Sequence, residues 1–274
     1  MVDIVIYHSN CYDGTASAWV AKTKFPDARY LPWKYFTDPP DVSDKNVLIL
    51  DFSFKKQILL DMKSKAKSIV VIDHHKSAKE DLEGIANCIF DMDKCGAELT
   101  WRYLYDTPQP WFIDIIADND LWRNKFKAEF RALENNKLLS FEGFNKLLSI
   151  NDVDSYRRSL YDIGLKLLTN DNLTINKMVS GAHIMILSVL DKKYKLGVIV
   201  NNGSYMNEVC HILAQKYGIG AVMFVSKNTI KFSLRSESID VGNIASAFGG
   251  GGHKCASGFN VRRSDLKKYI KIIK

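Results

Sequence analysis

The chain has 274 residues, of which 46% are hydrophobic and 25% are charged, and its formal net charge is +7. This composition is typical of a folded globular protein and excludes a chain that is mainly disordered, collagen-like or coiled coil. It holds no run of about 18 apolar residues, so we expect no membrane-spanning helix and no membrane partner. The five cysteines are scattered without a CxxC pair, so we expect a reduced, cytoplasmic protein.

Short apolar runs in the first part of the chain predict buried strands at residues 3–7, 46–50 and 68–72. Helical patterns follow them at residues 15–25, 54–65, 96–104 and 111–116, and again as several helices within 127–180. Strands that alternate with helices in this way are typical of βαβ units. We therefore predict an α/β fold whose N-terminal domain is built on a parallel sheet.

The last third of the chain has a different pattern, which predicts a smaller α/β domain. Strands are expected at residues 196–200, 219–226, 229–236 and 256–261. Helices are expected at residues 204–217, 240–248 and 263–273. We place the first domain at residues 1–185, a linker at 186–195 and the second domain at 196–274.

The positive charge is concentrated near the C-terminus. Residues 191–274 contain 14 Lys and Arg against 5 Asp and Glu, whereas the preceding residues are almost neutral. A basic C-terminal part favours an anionic ligand, although a solvated basic surface explains the charge equally well.

Potential metal ligands follow each of the three N-terminal strands. They are His8 and Asp13 after the first strand, Asp51 after the second, and Asp73, His74 and His75 after the third. Ligand sites of open α/β sheets lie at the carboxyl ends of the strands, so we expect these side chains to converge. A His and Asp cluster without a Cys pair favours Mn²⁺ over Zn²⁺. Carboxylates that bridge two ions would suit phosphoryl displacement.

A further carboxylate ligand is expected in the segment at residues 115–122. Asp118 is preferred because it follows the apolar run directly, and Asp120 is the alternative. A carboxylate that only caps a helix end explains the local pattern equally well.

Four consecutive glycines, Gly249, Gly250, Gly251 and Gly252, precede His253 and Lys254. Such a run is costly unless the backbone must approach another group closely or adopt positive φ angles. Successive free N–H groups would form an anion-binding nest, beside which His253 and Lys254 add donors. Arg235, at the end of a predicted strand, could bind a phosphate with two hydrogen bonds. A flexible loop is the alternative interpretation.

Together, two of these motifs resemble those of a known family. Asp73-His74-His75 after an apolar strand resembles the signature of the DHH phosphoesterase superfamily. The segment from Phe248 to His253, followed by Ala256-Ser257-Gly258-Phe259, is similar to the GGGH motif of its DHHA1 subfamily, which includes oligoribonucleases of the nanoRNase type. The resemblance implies an N-terminal domain that holds two Mn²⁺ ions and a smaller C-terminal domain that grips the substrate across a cleft.

The resemblance also implies a role for each matching residue. The implied metal ligands are His8, Asp13, Asp51, His74 and Asp118. Asp73 would orient His74, and His75 would lie near the phosphate. The implied substrate-binding residues are Arg235, Gly250, Gly251, Gly252 and His253.

Cys11 departs from the family pattern, which usually has an aspartate at this position. A thiolate binds Zn²⁺ well and Mn²⁺ poorly. Either the first ion binds more weakly, or Cys11 participates, or one ion is enough. Two Mn²⁺ ions are expected, with Mg²⁺ or Zn²⁺ as alternatives.

The function that this resemblance implies is hydrolysis of short single-stranded RNA or DNA by water activation at two metal ions. One alternative is a phosphodiesterase or phosphatase that acts on cyclic dinucleotides or on 3′-phosphoadenosine 5′-phosphate. Another is a catalytically silent nucleic-acid-binding protein, which the loss of a carboxylate at Cys11 would explain. The sequence leaves the oligomeric state open.

Overall fold

The computed structural model describes residues 1–35, 37–200, 205–252 and 254–273. The chain divides into two compact units, Met1–Leu168 and Thr169–Lys274. The described strands of the first unit are β1 (Ile4–His8), β2 (Arg29–Trp33), β3 (Asn46–Leu50), β4 (Ser68–Asp73) and β5 (Cys88–Phe90). Its described helices are α1 (Tyr12–Lys24), α2 (Lys56–Lys65), α3 (Lys76–Asp81), α4 (Gly96–Leu104), α5 (Trp111–Asp120), α6 (Lys127–Asn135) and α7 (Phe141–Leu148).

The first unit is built on a parallel sheet with the strand order β2-β1-β3-β4-β5. The β3 sequence is apolar on both faces because both faces are covered: Val47 and Ile49 belong to one buried cluster, and Leu48 and Leu50 to another. The chain runs from β1 to β2 on one side and then returns to place β3 on the other side of β1. The carboxyl ends of β1 and β3 therefore flank the point at which the strand order reverses.

A long helix, α8 (Val153–Ser180), contributes to both units. Leu160 belongs to the helical core of the first unit, whereas Ile175 belongs to a core cluster of the second. The sequence predicts several helices within residues 127–180, and the structure has α6, α7 and α8 there.

The second unit contains a mixed sheet with the strand order β10-β11-β9-β8-β7-β6-β12. These strands are β6 (His183–Val189), β7 (Lys192–Val200), β8 (Ile219–Val225), β9 (Thr229–Arg235), β10 (Gly251–Gly252), β11 (Ala256–Arg262) and β12 (Ile270–Ile272). Its further described helices are α9 (Met206–Tyr217), α10 (Val241–Ser246) and α11 (Leu266–Tyr269). Alternate residues of β9, namely Ile230, Phe232 and Leu234, belong to one core cluster of the unit, in which Phe232 stacks on Phe259.

The expected α/β fold with an N-terminal parallel sheet is confirmed, but one predicted element is wrong. The helix expected at residues 263–273 ends at Tyr269, and Ile270–Ile272 forms an edge strand that pairs with β6. In the described ranges, no helix combines the length and the apolar character that crossing a bilayer requires.

Candidate metal centre

The ligand residues predicted after the three strands converge at the carboxyl edge of the parallel sheet. His8 ends β1, Asp51 follows β3, and Asp73 ends β4. Ligand sites in open parallel sheets lie at the point where the strand order reverses, which here is the gap between β1 and β3. The topology therefore brings together side chains that are far apart in sequence.

Asp51 is the centre of this cluster. Its Oδ1 atom lies 3.1 Å from His74 Nε2, and its Oδ2 atom lies 3.4 Å from His8 Nδ1. The residue is only 1% exposed and adopts a left-handed conformation with φ of +51°. Aspartate tolerates this conformation better than most residues, and the turn directs the carboxylate to both histidines at the strand end.

Asp13 is held in place by the start of helix α4. Its carboxylate accepts hydrogen bonds from the backbone N–H groups of Gly96, at 2.5 Å, and Ala97, at 2.8 Å. A Cβ atom on Gly96 would lie 2.7 Å from Asp51 Cβ, so only glycine lets the helix end approach this closely. Gly96 is not among the site residues predicted from the sequence, although a glycine that opens a helical pattern is a usable signal.

Asp120, rather than the preferred Asp118, is the α5 carboxylate that faces the cluster. Asp120 Oδ2 lies 3.4 Å from His74 Nε2. The Asp118 oxygens instead accept hydrogen bonds from the backbone N–H groups of Lys125 and Phe126, at 2.9 and 2.8 Å. Residues two positions apart on a helix point in nearly opposite directions, so only one can face the cluster. Asp118 therefore caps backbone N–H groups after α5, which agrees with the alternative interpretation of its sequence pattern.

Asp73 contacts the ring of His75. The resemblance had implied that Asp73 would orient the ring of His74 instead. Asp73 Oδ1 lies 2.6 Å from His75 Nδ1, and it accepts a hydrogen bond from the backbone N–H of His74 at 2.7 Å. Ser53 Oγ donates to the other oxygen of this carboxylate at 2.5 Å. The contact with Asp73 leaves the Nε2 atom of His75 for a different partner.

The charges in the cluster shift several pKa values in ways that follow from their positions. Burial alone would raise the pKa of Asp51, but its contacts with His74 and His8 hold it well below its usual range. Burial alone would lower the pKa of His74, but its contact with Asp51 and the surrounding carboxylates raise it to about 9. Burial and the neighbouring carboxylates raise the pKa of Asp13. The centre is thus built to hold positive charge.

The donor atoms of this cluster fit divalent metal ions. His8 Nδ1, Asp51 Oδ2 and Asp120 Oδ2 are buried and lack a hydrogen-bond partner among the described residues. Buried polar atoms are normally paired, so unpaired nitrogen and carboxylate donors that converge favour a bound cation. In the described part of the chain, three groups of potential ligands have their ligand atoms within 4.8 Å of one another. They are His8 with Cys11 and Asp51, Asp13 with His74 and Asp120, and Asp51 with Asp73, His74 and His75.

Cys11 therefore lies among the potential ligands, as the sequence pattern suggested. Its sulfur shares a donor group with His8 and Asp51. Burial and the charges of the neighbouring carboxylates raise the pKa of this thiol. The side chain is a neutral thiol at neutral pH unless a cation favours its ionisation.

In the second unit, Arg235 and part of the glycine run lie near the same end of the mixed sheet. Arg235 pairs with Ala256 on β11, and Gly252 pairs with the next residue of that strand, Ser257. Arg235 is half-buried, and its guanidinium donates to the Leu234 carbonyl at 2.9 Å and to Asn207 Oδ1 at 2.8 Å. Lys254 is exposed near this end, and His253 lies outside the described residues.

The predicted nest of free glycine N–H groups is wrong for the first half of the run. The N–H of Gly249 donates to the Ser246 carbonyl and that of Gly250 to the Ala245 carbonyl, so both close the end of α10. A Cβ atom on Gly250 would overlap the carbonyl oxygen of Gly258, whereas a Cβ on Gly251 would meet nothing within 4 Å. Gly250 is thus required for packing, and Gly251 is not.

Comparison with known proteins agrees with this architecture. Residues 191–274 match the family model of the DHHA1 domain. An uncharacterized protein of Acanthamoeba polyphaga mimivirus is 30% identical over 286 residues, which cover 94% of this chain and 67% of the viral protein.

Two solved structures share the fold of the chain at low sequence identity. One is the pGpG-specific phosphodiesterase PggH from Vibrio cholerae, with a TM-score of 0.53, 13% identity, and coverage of 97% of this chain and 95% of that chain. The other is the DHH domain of a protein assigned to a family of ribosomal proteins, with a TM-score of 0.55, 14% identity, and coverage of 97% and 84%.

The fold and the cluster define an α/β protein with a group of potential His and Asp metal ligands at the point where the strand order of a parallel sheet reverses, and with a separate C-terminal unit. The C-terminal part of the chain, residues 191–274, is a DHHA1 domain. The whole chain belongs to one family with the uncharacterized mimivirus protein.

Proposed function

We propose that the protein is a Mn²⁺-dependent phosphodiesterase that hydrolyses short single-stranded oligonucleotides. The observation that carries this proposal is the position of Asp51, whose Oδ2 atom lies near His8 and whose Oδ1 atom lies near His74. A carboxylate that faces two donor groups is suited to bridge two ions. We also propose a cytoplasmic location, on the cysteine pattern of the sequence.

His8, Asp51 and Cys11 would hold one ion, and Asp13, His74, Asp120 and Asp51 would hold the other. We thus replace Asp118 by Asp120 in the proposed ligand set, because Asp120 shares a donor group with Asp13 and His74, whereas Asp118 belongs to no such group among the described residues. Two bound ions would supply a hydroxide nucleophile at neutral pH and neutralise the oxygens of the phosphate. The mixture of imidazole and carboxylate donors favours Mn²⁺, and the thiol of Cys11 would make Zn²⁺ its strongest competitor.

The protein's own residues would position the substrate around this chemistry. His75 donates its Nδ1–H to Asp73. Burial alone would lower the pKa of His75, but this carboxylate raises it, and the protonated ring can donate its Nε2–H to a phosphate oxygen. In the DHHA1 domain, Arg235 would bind a terminal phosphate, because its three hydrogen bonds with described residues leave donors of its guanidinium for a ligand. Gly251, Gly252, His253 and Lys254 would line the same phosphate subsite.

Two other functions have specific support. The solved neighbour PggH acts on pGpG, so hydrolysis of a dinucleotide or another small nucleotide is the second candidate. Cys11, in place of a carboxylate ligand, supports a protein that binds nucleic acid without cleaving it.

A substrate panel tests these proposals directly. Protein stripped of metal and reloaded with Mn²⁺, Mg²⁺ or Zn²⁺ is incubated with a 5-mer RNA, a 24-mer single-stranded DNA, pGpG, a cyclic dinucleotide and 3′-phosphoadenosine 5′-phosphate. We expect Mn²⁺-dependent loss of the 5-mer in preference to the 24-mer. Cleavage restricted to the small nucleotides would support the second candidate. Binding of the 5-mer without turnover under any metal would identify a silent binder.

Asp51→Asn is the variant that tests the metal centre itself. The substitution keeps the side-chain shape but removes the charge that both donor groups share, so hydrolysis should fall by at least about 100-fold with an unchanged circular dichroism spectrum. Retained turnover would contradict the two-ion proposal. Asp44→Asn, a substitution in an exposed turn, is the matched control and should leave activity unchanged.

A further inference from the structure

Tyr35 is an exposed aromatic residue that touches the metal centre. Its side chain is 41% exposed, although its ring centroid lies 5.4 Å from that of His8 and 6.4 Å from that of His75. Both imidazole planes stand nearly perpendicular to the phenol ring, at 72° and 81°. The exposed part of the ring is therefore next to the place where a bound phosphate would lie.

The ring of Tyr35 is supported from below by buried aromatic residues. Its centroid lies 4.6 Å from that of Phe52, with the two ring planes 35° apart. Phe52 is 1% exposed and packs edge-to-face on Phe54, which is also buried. Tyr35 is thus packed on the core rather than extended into solvent. Because folding already orders the ring, a ligand that contacts it loses little further conformational entropy on binding.

Three other exposed aromatic residues among those described in the first unit make no ring contact with the histidines of the cluster, in contrast to Tyr35. Tyr12, Tyr103 and Trp122 are at least 39% exposed, and none of them makes a ring contact with His8, His74 or His75 within the described part of the chain. Phe52 does contact His8, but it is buried beneath Tyr35. Of the described Phe, Tyr and Trp residues with a ring contact to a histidine of the cluster, Tyr35 is the exposed one.

We propose that Tyr35 is the platform on which the nucleoside attached to the reacting phosphate stacks. This inference rests on the proposed function and deepens it by naming a residue that recognises the base: contact with Tyr35 favours nucleotide phosphodiesters over polyphosphate or base-free phosphate esters. Every base has a π-face, so stacking on tyrosine tolerates any sequence. The hydroxyl group of Tyr35 is not needed for this role.

The experiment combines variants of Tyr35 with substrates that have or lack the base. Tyr35→Phe keeps the ring, Tyr35→Leu removes it, and Tyr103→Leu removes an equally exposed ring that does not adjoin the centre. Each variant is measured with a dinucleotide and with two analogues that are abasic at one position or the other. Two readouts are taken: KM and kcat for hydrolysis, and the Kd of a non-hydrolysable phosphorothioate dinucleotide in the presence of Ca²⁺.

We expect Tyr35→Leu to raise KM and Kd for the dinucleotide by about 5- to 150-fold, which corresponds to the loss of one base–aromatic stack. The same variant should leave the values for one of the abasic analogues within about 2-fold of wild type, because that substrate has no stack to lose. Tyr35→Phe and Tyr103→Leu should behave as wild type with all three ligands.

Three results would overturn the inference. They are an unchanged dinucleotide Kd in Tyr35→Leu, an equal loss on both abasic analogues, and a loss in Tyr35→Phe as large as that in Tyr35→Leu, which would assign the effect to the hydroxyl. If wild-type protein binds the dinucleotide without hydrolysing it, the proposed activity fails while the Kd values still decide the role of Tyr35. If wild-type protein does not bind it, both fail.

Discussion

Asp73 Oδ1 lies 2.6 Å from His75 Nδ1, so the first and third residues of the Asp-His-His triplet form a pair. The middle residue, His74, turns its ring to Asp51 instead. The triplet thus serves two purposes: His74 joins the ligand cluster, and His75 is aligned beside it by a fully buried carboxylate. Neighbouring residues at the end of a strand point to different sides, which explains why the two histidines have different partners.

Replacement of Asp73 tests whether it acts through His75. Asp73→Asn should lower kcat about 10- to 100-fold, the usual cost of losing a group that orients a ligand or catalytic residue. Because the two residues would act as a unit, the Asp73→Asn and His75→Ala double variant should lose little more than His75→Ala alone. Ser53→Ala, which removes another donor to Asp73, should cost much less. Additive losses in steady-state kinetics would separate Asp73 from His75.

The two carboxylates of α5 should respond to substitution in opposite ways. Asp120→Asn should weaken Mn²⁺ binding, measured by isothermal titration, about 10- to 100-fold with little change in Tm. Asp118→Asn should leave one of the backbone N–H groups of Lys125 and Phe126 without a good acceptor, so it should lower stability by about 1–3 kcal/mol. Its affinity for Mn²⁺ should stay near that of wild type. The reverse pattern would restore Asp118 as the ligand.

The sequence correctly predicted the elements whose structure follows from the pattern of apolar residues alone. The run at residues 46–50 is a strand in the structure with the same bounds, and His8, Asp51 and His74 meet at the sheet edge as the strand ends predicted. The choice between Asp118 and Asp120 failed because it depends on the rotation of α5, which is set by packing on α6 and by the backbone donors after it. Gly96 and Tyr35 were missed because their roles come from contacts with residues distant in sequence.

The affinity of the cluster for Mn²⁺ should increase with pH, because His74 must lose a proton before it can bind the ion. In the metal-free protein the pKa of His74 is raised to about 9, so this ring is protonated at neutral pH and must lose its proton to become a ligand. The affinity for Mn²⁺ should therefore rise from pH 6 to pH 8, by up to about 10-fold per pH unit for one proton. Titration in two buffers of different ionisation enthalpy should show protons released. A pH-independent affinity, or proton uptake, would contradict the assignment of His74.

Two neighbouring glycines offer a matched test of the glycine run. Gly250→Ala should lower Tm clearly, because its Cβ would overlap the Gly258 carbonyl and lie 2.7 Å from Phe259 Cβ. Gly251→Ala should change Tm by little, since that Cβ would meet nothing within 4 Å. If the run binds phosphate as proposed, Gly251→Ala should still raise KM for a 5′-phosphorylated dinucleotide. Unchanged KM in a fully folded Gly251→Ala protein would remove this residue from the phosphate subsite.

Asn207 should act on substrate through Arg235. The Asn207 side-chain oxygen, in the first turn of α9, accepts a 2.8 Å hydrogen bond from the Arg235 guanidinium. Without this contact the guanidinium is less ordered, and a hydrogen bond to a charged group is worth about 1.5–3 kcal/mol. Asn207→Ala should therefore raise KM for 5′-phosphorylated substrates about 10- to 150-fold while kcat changes little.

The double variant distinguishes positioning from direct contact. If Asn207 works only by holding Arg235, then Asn207→Ala should add nothing to the rise in KM caused by Arg235→Ala. Asn260→Ala, an exposed asparagine on β11, is the matched control and should leave KM unchanged. Removal of the 5′-phosphate from the substrate should abolish the effect of both substitutions, because the contact that they weaken would be absent. An additive loss in the double variant would mean that Asn207 binds the substrate itself.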